Sequence, residues 1–213
     1  MKHSQAKQSP KKNHYHLIPL IFILVVIPLI SKVYSYDPKL SQFDWFPNLT
    51  DHSDLFLYYK SVFFTLTAVV MAFLILGKRF IEDQHAITAF EFYPLAAYAI
   101  LALLSTLFSH YRSYGFSGIH EQFESIWVLL GYCVAAYYAY IFVEEDDIAF
   151  LIRWFLLGIA ILTALGLAQA LKHDFFRTKL GQKLITTGTK YNSLDFTFEE
   201  DRVYMTLYNP NYV

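Results

Sequence analysis

The chain has 213 residues, of which 55% are hydrophobic and only 16% are charged. Soluble domains usually carry about 25% charged residues, so this composition indicates an integral membrane protein. The formal net charge of −1 gives no basic field that would attract nucleic acid. The single cysteine, Cys133, excludes an internal disulfide and a zinc site built from several cysteines.

Five apolar stretches approach the roughly 20 residues that a helix needs to cross a bilayer core. The predicted spans are Leu17–Ser35, Tyr58–Leu76, Tyr93–Ser109, Ser125–Val143 and Ile148–Leu171. The charged residues within them lie near span ends, where long side chains reach the lipid headgroups; they are Lys32, Lys60 and Arg153. We therefore predict an all-α polytopic membrane protein with about five transmembrane helices.

The span centres contain no ionisable residue, and this disfavours an ion-coupled pump or transporter. Uncharged polar residues do occur inside the spans, among them Thr65, Ser105 and Gln169. Their simplest interpretation is hydrogen bonding and packing between helices.

The distribution of lysines predicts the orientation in an inner or plasma membrane. Residues 1–16 carry four lysines and no acid, which is typical of a cytoplasmic tail. The loop after the first span carries four aspartates against Lys39 and is predicted to be external. Alternation over a five-span region, 17–171, then places residues 172–213 outside. The alternative is a signal peptide cleaved near Tyr34-Ser35.

The external region 172–213 contains two segments with strand-like patterns, Leu194–Phe198 and Arg202–Tyr208. Glu199-Glu200-Asp201 between them suits a turn, so we predict a small external β-hairpin, with a possible third strand at Leu184–Thr187. Asn209-Pro210-Asn211 is a strong turn signal. Because the chain stops two residues later, we expect it to be the N-terminal part of a longer protein whose next span is missing.

Two segments resemble a known family. The run RVYMTLYNPNYV, from Arg202 to Val213, resembles the R-x(3)-T-x-x-NPN-[YF] segment of O-antigen ligase-like membrane proteins. Leu104–Tyr132 resembles an earlier segment of the same family, in which a helix end precedes G-x-x-x-R-x-E-G and an aromatic span. Gly118 and Glu124 match that pattern, whereas Gln122 replaces the arginine and Ser125 the second glycine.

The resemblance implies transfer of a glycan from an undecaprenyl-diphosphate carrier to an acceptor at the outer face of the membrane. It implies external arginines that bind the diphosphate and no metal or other cofactor. It also implies a histidine in a later external loop, beyond Val213, that activates the acceptor. Whether the protein is a ligase or a polymerase, and what its acceptor is, stay open.

The residues proposed to bind the lipid diphosphate or the glycan are Arg112, Glu124, Arg202, Asn209 and Asn211. A guanidinium makes planar, bidentate contacts with phosphate oxygens, and asparagine amides hydrogen-bond to sugars or phosphates. The alternatives are interfacial anchoring for the arginines and turn geometry for the asparagines.

Histidines supply two weaker hypotheses. His120 and Glu124 are four residues apart and form either a base–orienter pair or an ordinary solvated helix start. His3, His14 and His16 lie among lysines and are interpreted as a solvated tail rather than a metal site. The sequence therefore does not locate the catalytic base.

The leading hypothesis is the N-terminal part of a bacterial envelope glycan ligase or polymerase that uses an undecaprenyl-diphosphate-linked glycan. Its rival is a non-enzymatic membrane scaffold or sensor whose external tail binds a partner. A flippase for a lipid-linked substrate would need a polar path, which the apolar span centres do not offer.

Overall fold

The structure is a computed structural model that describes residues 13–37, 52–82, 90–119, 122–188 and 202–207. These residues are mostly helical. Five apolar helices account for most of them: α1 (Tyr15–Leu29), α2 (Tyr58–Glu82), α3 (Tyr93–Phe108), α5 (Ile126–Phe142) and α6 (Glu145–Ala170). Two short helices, α4 (Arg112–Ser117) and α7 (Lys179–Ile185), follow α3 and α6. Single 3₁₀ turns occupy Phe90–Phe92 and Phe175–Arg177.

Three helices are long and apolar enough to cross a membrane, namely α2, α6 and α3 together with the 3₁₀ turn before it. Their length and composition support the prediction of a membrane protein. The helices α1 and α5 stand where spans are predicted but have only 15 and 17 residues. At 1.5 Å per residue they are about 22 and 26 Å long, against a bilayer core of about 30 Å.

The first predicted span, Leu17–Ser35, is too long, because α1 ends at Leu29. Residues Phe22–Val26 form a π-helical turn just before Pro28. Proline lacks an N–H and its ring crowds the carbonyl four residues earlier, so a widened turn accommodates it. Ile30 is already extended, with ψ 122°, and the β-forming residues after it continue as an extended segment.

The helices α2 and α5 form the central pair and run in the same direction. Phe64 packs against Val128 near one end, and Met71 packs against Tyr138 further along both helices. Gly131 allows the close approach, since a Cβ there would lie 2.8 Å from Phe64 Cε1.

The other helices run antiparallel to that pair. The ring of Phe92, just before α3, contacts Tyr137 near the end of α5. Gly158 in α6 lies against Val25 in α1. Both α3 and α6 leave most of their large apolar side chains exposed, as is typical of surfaces that lipid covers.

The small β element exists, but not where the sequence predicts it. Strands β1 (Tyr34–Tyr36) and β2 (His52–Asp54) pair antiparallel, with Tyr34 opposite Asp54. The predicted third strand at Leu184–Thr187 is wrong, because α7 ends at Ile185 and a turn follows. In the described part of the predicted strand Arg202–Tyr208, the residues up to Tyr204 are irregular and a turn follows them. Leu194–Phe198 lies outside the described residues.

The bundle has two ends of different construction. At the tail end, the ends of α1 and α6 meet the beginnings of α2 and α5, and the residues after α6 pack over them. A small apolar core lies there, consisting of Val33, Phe56, Phe176, Ile185 and Tyr204. At the histidine end, His14 and His16 before and at the start of α1 contact Asp147 in the first turn of α6.

Candidate functional site

Residues Arg202–Leu207, here named the docked segment, lie against the end of α6. Gln169, one residue before that end, is 2% exposed. Its Oε1 accepts hydrogen bonds from the backbone N–H groups of Tyr204 and Met205, at 3.1 and 2.6 Å, and its Nε2 donates to the Met205 carbonyl at 3.3 Å. Since one buried amide satisfies these backbone groups, the segment needs no partner strand.

Asp174, which follows α6, holds the same segment from a second side. The Tyr204 hydroxyl donates to Asp174 Oδ2, and the Phe176 N–H donates to Oδ1 at 3.0 Å. Arg177 Nε lies 3.5 Å from Oδ2. Burial, and then the hydrogen bond to Asp174, raises the pKa of the Tyr204 hydroxyl far above its ordinary value. The phenol therefore keeps its proton and acts as a donor.

Thr206 connects the docked segment to two further helices. It is fully buried, and its Oγ1 donates to the carbonyl of Pro28 at the end of α1, at 2.6 Å. Its own carbonyl accepts a hydrogen bond from the ammonium of Lys60 in the first turn of α2. The docked segment thus spans the ends of α1, α2 and α6, and the threonine of the family-like pattern has a structural role.

Asp54 organises the beginning of α2 beside this junction. Its Oδ2 accepts from the N–H groups of Leu57 and Tyr58, both at 2.8 Å, which are among the donors that a helix leaves unpaired at its N-terminus. Burial raises the pKa of the Asp54 carboxyl above its ordinary value, although these hydrogen bonds and the charge of Lys60 oppose the shift.

Arg202 is the first residue of the docked segment, and its side chain is exposed. Gln169 holds the backbone of the docked segment two residues after Arg202. The guanidinium of Arg202 therefore projects from a backbone that is fixed at the tail end of the bundle. The side chain of Arg177 is half-buried and lies against Asp174 in the same network. This arrangement can present positive, bidentate donors to an anionic group at the membrane surface.

Two of the remaining predicted site residues, Arg112 and Glu124, are not part of this junction. Arg112 is the exposed first residue of α4. Glu124 is exposed and precedes α5 by two residues, so it does not lie in the first helical turn as the sequence predicts. Asn209, Asn211 and His120 lie outside the described residues, as does the predicted pairing of His120 with Glu124.

Sequence reasoning missed the two residues that hold the docked segment. Gln169 was assigned to packing between helices, but it bonds to a loop. The sequence does contain a signal for this role. Gln169 is a lone amide near the end of an apolar span, and Asp174 follows it five residues later. A buried amide at that position needs backbone partners from whatever covers the helix end.

The histidine end corrects the interpretation of the N-terminal histidines. His14 Nδ1 and His16 Nε2 each lie 3.1 Å from a different oxygen of Asp147, which is fully buried. His14 also stacks on Phe150, with ring centroids 4.3 Å apart. Glu144 and Asp147 form a capping box at the start of α6. His14 and His16 are therefore structural residues and not part of a solvated tail.

Within the part of the chain that the structure describes, no group of three or more histidine, cysteine, aspartate or glutamate side chains is placed to hold a metal ion.

Comparison of the chain with protein-family models, with curated proteins and with solved structures finds no match.

Proposed function

We propose that the chain is part of a bacterial envelope glycan ligase or polymerase that receives its glycan from undecaprenyl diphosphate. All five apolar helices cross the membrane in this proposal, and the tail end faces outward. The single observation that carries the proposal is the docking of Arg202–Leu207 across the ends of α1, α2 and α6. These six residues begin the Arg202–Val213 run that resembles the O-antigen ligase-like pattern.

The direction of the helices supports five crossings. Successive apolar helices run antiparallel, so the beginnings of α2 and α5 share one end with the ends of α1 and α6. The two short helices reach the headgroup region if the bilayer thins locally or if their flanking residues extend to the surface. The four lysines before residue 13 then lie in the cytoplasm, and the tail end is external.

The proposed role of Arg202 is to bind the diphosphate. A phosphate beside the hydrocarbon boundary is poorly solvated, and a bidentate guanidinium is its strongest side-chain partner. The buried network under Arg202 limits the loss of backbone freedom on binding, because Gln169 and Thr206 already hold the segment. The predicted ligands Arg112, Glu124, Asn209 and Asn211 remain part of the proposal.

The test is the affinity of the chain, reconstituted in phosphatidylcholine nanodiscs, for undecaprenyl diphosphate. Undecaprenol, which lacks the diphosphate, is the control lipid. We expect Arg202→Gln to weaken diphosphate binding about tenfold, as for loss of a charge-assisted contact. The matched control is Arg153→Gln in α6, an exposed arginine near the histidine end, which should change nothing.

Equal affinity for the two lipids, or an unchanged affinity in Arg202→Gln, would contradict the proposal. It would favour the non-enzymatic scaffold or sensor, in which the docked segment presents a surface to a protein partner.

A further inference from the structure

A cleft of about 290 Å³ opens between α2, α4 and the beginning of α5. It lies at the tail end, since its wall includes Tyr58, the first residue of α2. Four aromatic rings line it: Tyr58, Phe116, Phe123 and Trp127. We refer to this space as the aromatic cleft.

Ring contacts within the wall and with Tyr36 behind it position the aromatic wall. The ring of Phe123, which is 6% exposed, meets the rings of Tyr58 and Tyr36 edge-on, with centroids 5.4 Å apart in both cases. Its backbone has φ 53°, a conformation that is uncommon for a bulky residue. Gly118 permits the approach, because a Cβ there would lie 2.8 Å from the Phe123 carbonyl carbon.

Four hydroxyl groups line the aromatic cleft together with the four rings. Ser61 and Ser117 donate to carbonyls of their own helices at 2.7 and 2.8 Å and keep their oxygen lone pairs as acceptors. Thr65 and Ser125 also line the cleft. Among all contacts between described residues, neither of these two hydroxyls has a hydrogen-bond partner.

Ser125 is the most informative of the four. It is 8% exposed and occupies the N-cap position of α5 in an extended conformation, yet its side chain makes no capping bond. A serine at this position ordinarily bonds to the helix backbone. Its hydroxyl is therefore available to a molecule in the cleft.

The charge and polarity of the residues that line the cleft indicate which class of ligand it can bind. The described residues that line the cleft include no charged side chain, so the wall suits a neutral group rather than a phosphate. Val62 and Leu66 continue the cleft onto the outer face of α2, where Leu66 is 56% exposed. A ligand with a neutral polar part and an attached lipid fits both surfaces.

We infer that the aromatic cleft binds a pyranose ring of a lipid-borne glycan. The C–H face of such a ring packs on aromatic side chains, and its hydroxyl groups need hydrogen-bond partners such as Thr65 and Ser125. The inference rests on the proposed function, which supplies the lipid carrier of the sugar. It adds the part of the site that recognises the sugar ring.

The experiment uses Trp127 as the reporter. In a variant with Trp45→Phe and Trp154→Phe it is the only tryptophan. Monoglucosyl diacylglycerol is titrated into phosphatidylcholine nanodiscs that contain this protein, with diacylglycerol as the sugar-free control. We expect a saturable change in Trp127 emission with the glucosyl lipid only. A protein that retains Trp154 instead of Trp127 should show no change.

The hydroxyl contacts are tested by Thr65→Val combined with Ser125→Ala in the Trp127 reporter. The affinity for the glucosyl lipid should fall about tenfold, the loss expected for two neutral hydrogen bonds. The matched control is Ser105→Ala with Thr163→Val, which changes the same residue types at exposed positions of α3 and α6 and should leave the affinity unchanged. Thermal unfolding of both variants shows whether the fold is intact.

An equal emission change with diacylglycerol would overturn the inference, as would an unchanged affinity in the cleft variant, because either result means that the cleft holds an acyl chain. The probe contains no diphosphate. Failure of diphosphate binding at Arg202 would therefore refute the proposed function without affecting this result, and failure here would leave the diphosphate test intact.

Discussion

The two ends of the helical bundle are closed by different physical means. At the histidine end, one fully buried carboxylate, Asp147, binds two histidines and the first turn of α6. At the tail end, Gln169 and Lys60 hydrogen-bond to backbone groups of the docked segment, and the Thr206 hydroxyl donates to the Pro28 carbonyl. The first closure depends on one side chain, whereas the second is a network around an exposed arginine and an open aromatic cleft. The proposal accordingly assigns a stabilising role to the histidine end and a ligand-binding role to the tail end.

The largest effect is expected from breaking the histidine end. Asp147→Ala leaves two part-buried imidazoles and a helix start without their acceptor, so we expect a loss of about 3 kcal/mol in the free energy of unfolding. Denaturant titration of the protein in mixed micelles measures it. Asp146→Ala changes the exposed neighbouring aspartate and should cost less than about 0.5 kcal/mol. Equal losses would mean that Asp147 does not hold this end.

The corresponding change at the tail end is Gln169→Leu. It leaves the Tyr204 and Met205 N–H groups without their acceptor, and we expect a loss of about 2 kcal/mol. The loss should be local, so trypsin should cleave after Arg202 several times faster while α2 and α5 stay protected. Gln122→Leu, at an exposed position, is the control. Unchanged cleavage at Arg202 would show that Gln169 does not hold the docked segment.

The packing in the middle of the bundle is tested at Gly131. An alanine Cβ would lie 2.8 Å from Phe64 Cε1 and 3.2 Å from Ala68 Cβ. Overpacking of this kind costs about 1–2 kcal/mol, and Gly131→Ala should lower the Tm accordingly. Gly77→Ala in the same helix pair meets no atom within 4 Å and should not lower it. The opposite ranking would contradict the observed packing of α2 on α5.

The smallest effect concerns Asp54 beside the docked segment. Asp54→Ala removes the acceptor of two N–H groups of α2 and should cost about 1 kcal/mol, whereas Asp54→Asn should cost less because its carbonyl still accepts. Since burial raises the pKa of Asp54, the folded state binds more protons than the unfolded state above the ordinary value of 3.8. The contribution of the Asp54 carboxyl to the free energy of unfolding therefore falls as the pH rises from its ordinary pKa through its raised pKa. Asp54→Asn should lose this part of the pH dependence, and an unchanged profile would contradict the assignment.

Sequence periodicity and apolar length predict the five helices, because those signals come from the solvent that each helix faces. The boundaries of α3 and α5 agree with the prediction to within one residue. The end of α1 does not, because the count of apolar residues includes the β-forming residues after Pro28. The predicted strand Arg202–Tyr208 is wrong over its described residues for a similar reason, since backbone groups of these β-forming residues bond to Gln169 in place of a second strand.

The candidate site is harder to predict than the spans. Arg202 was selected from a motif, but the residues that hold it are distant in sequence, and no local pattern connects Gln169 or Pro28 with Thr206. No local pattern connects the residues of the histidine end either, because His14 and His16 each lie more than 130 residues from Asp147. The aromatic cleft joins three separate elements and has no linear signature.

The most direct measurement of the central claim is hydrogen exchange of the reconstituted chain with and without undecaprenyl diphosphate. The account predicts slower exchange of the amides of Val203–Leu207 and of the first turn of α2, with no change around His14 and Asp147. Protection confined to the histidine end, or no protection at either end, would contradict the assignment of the ligand site to the docked segment.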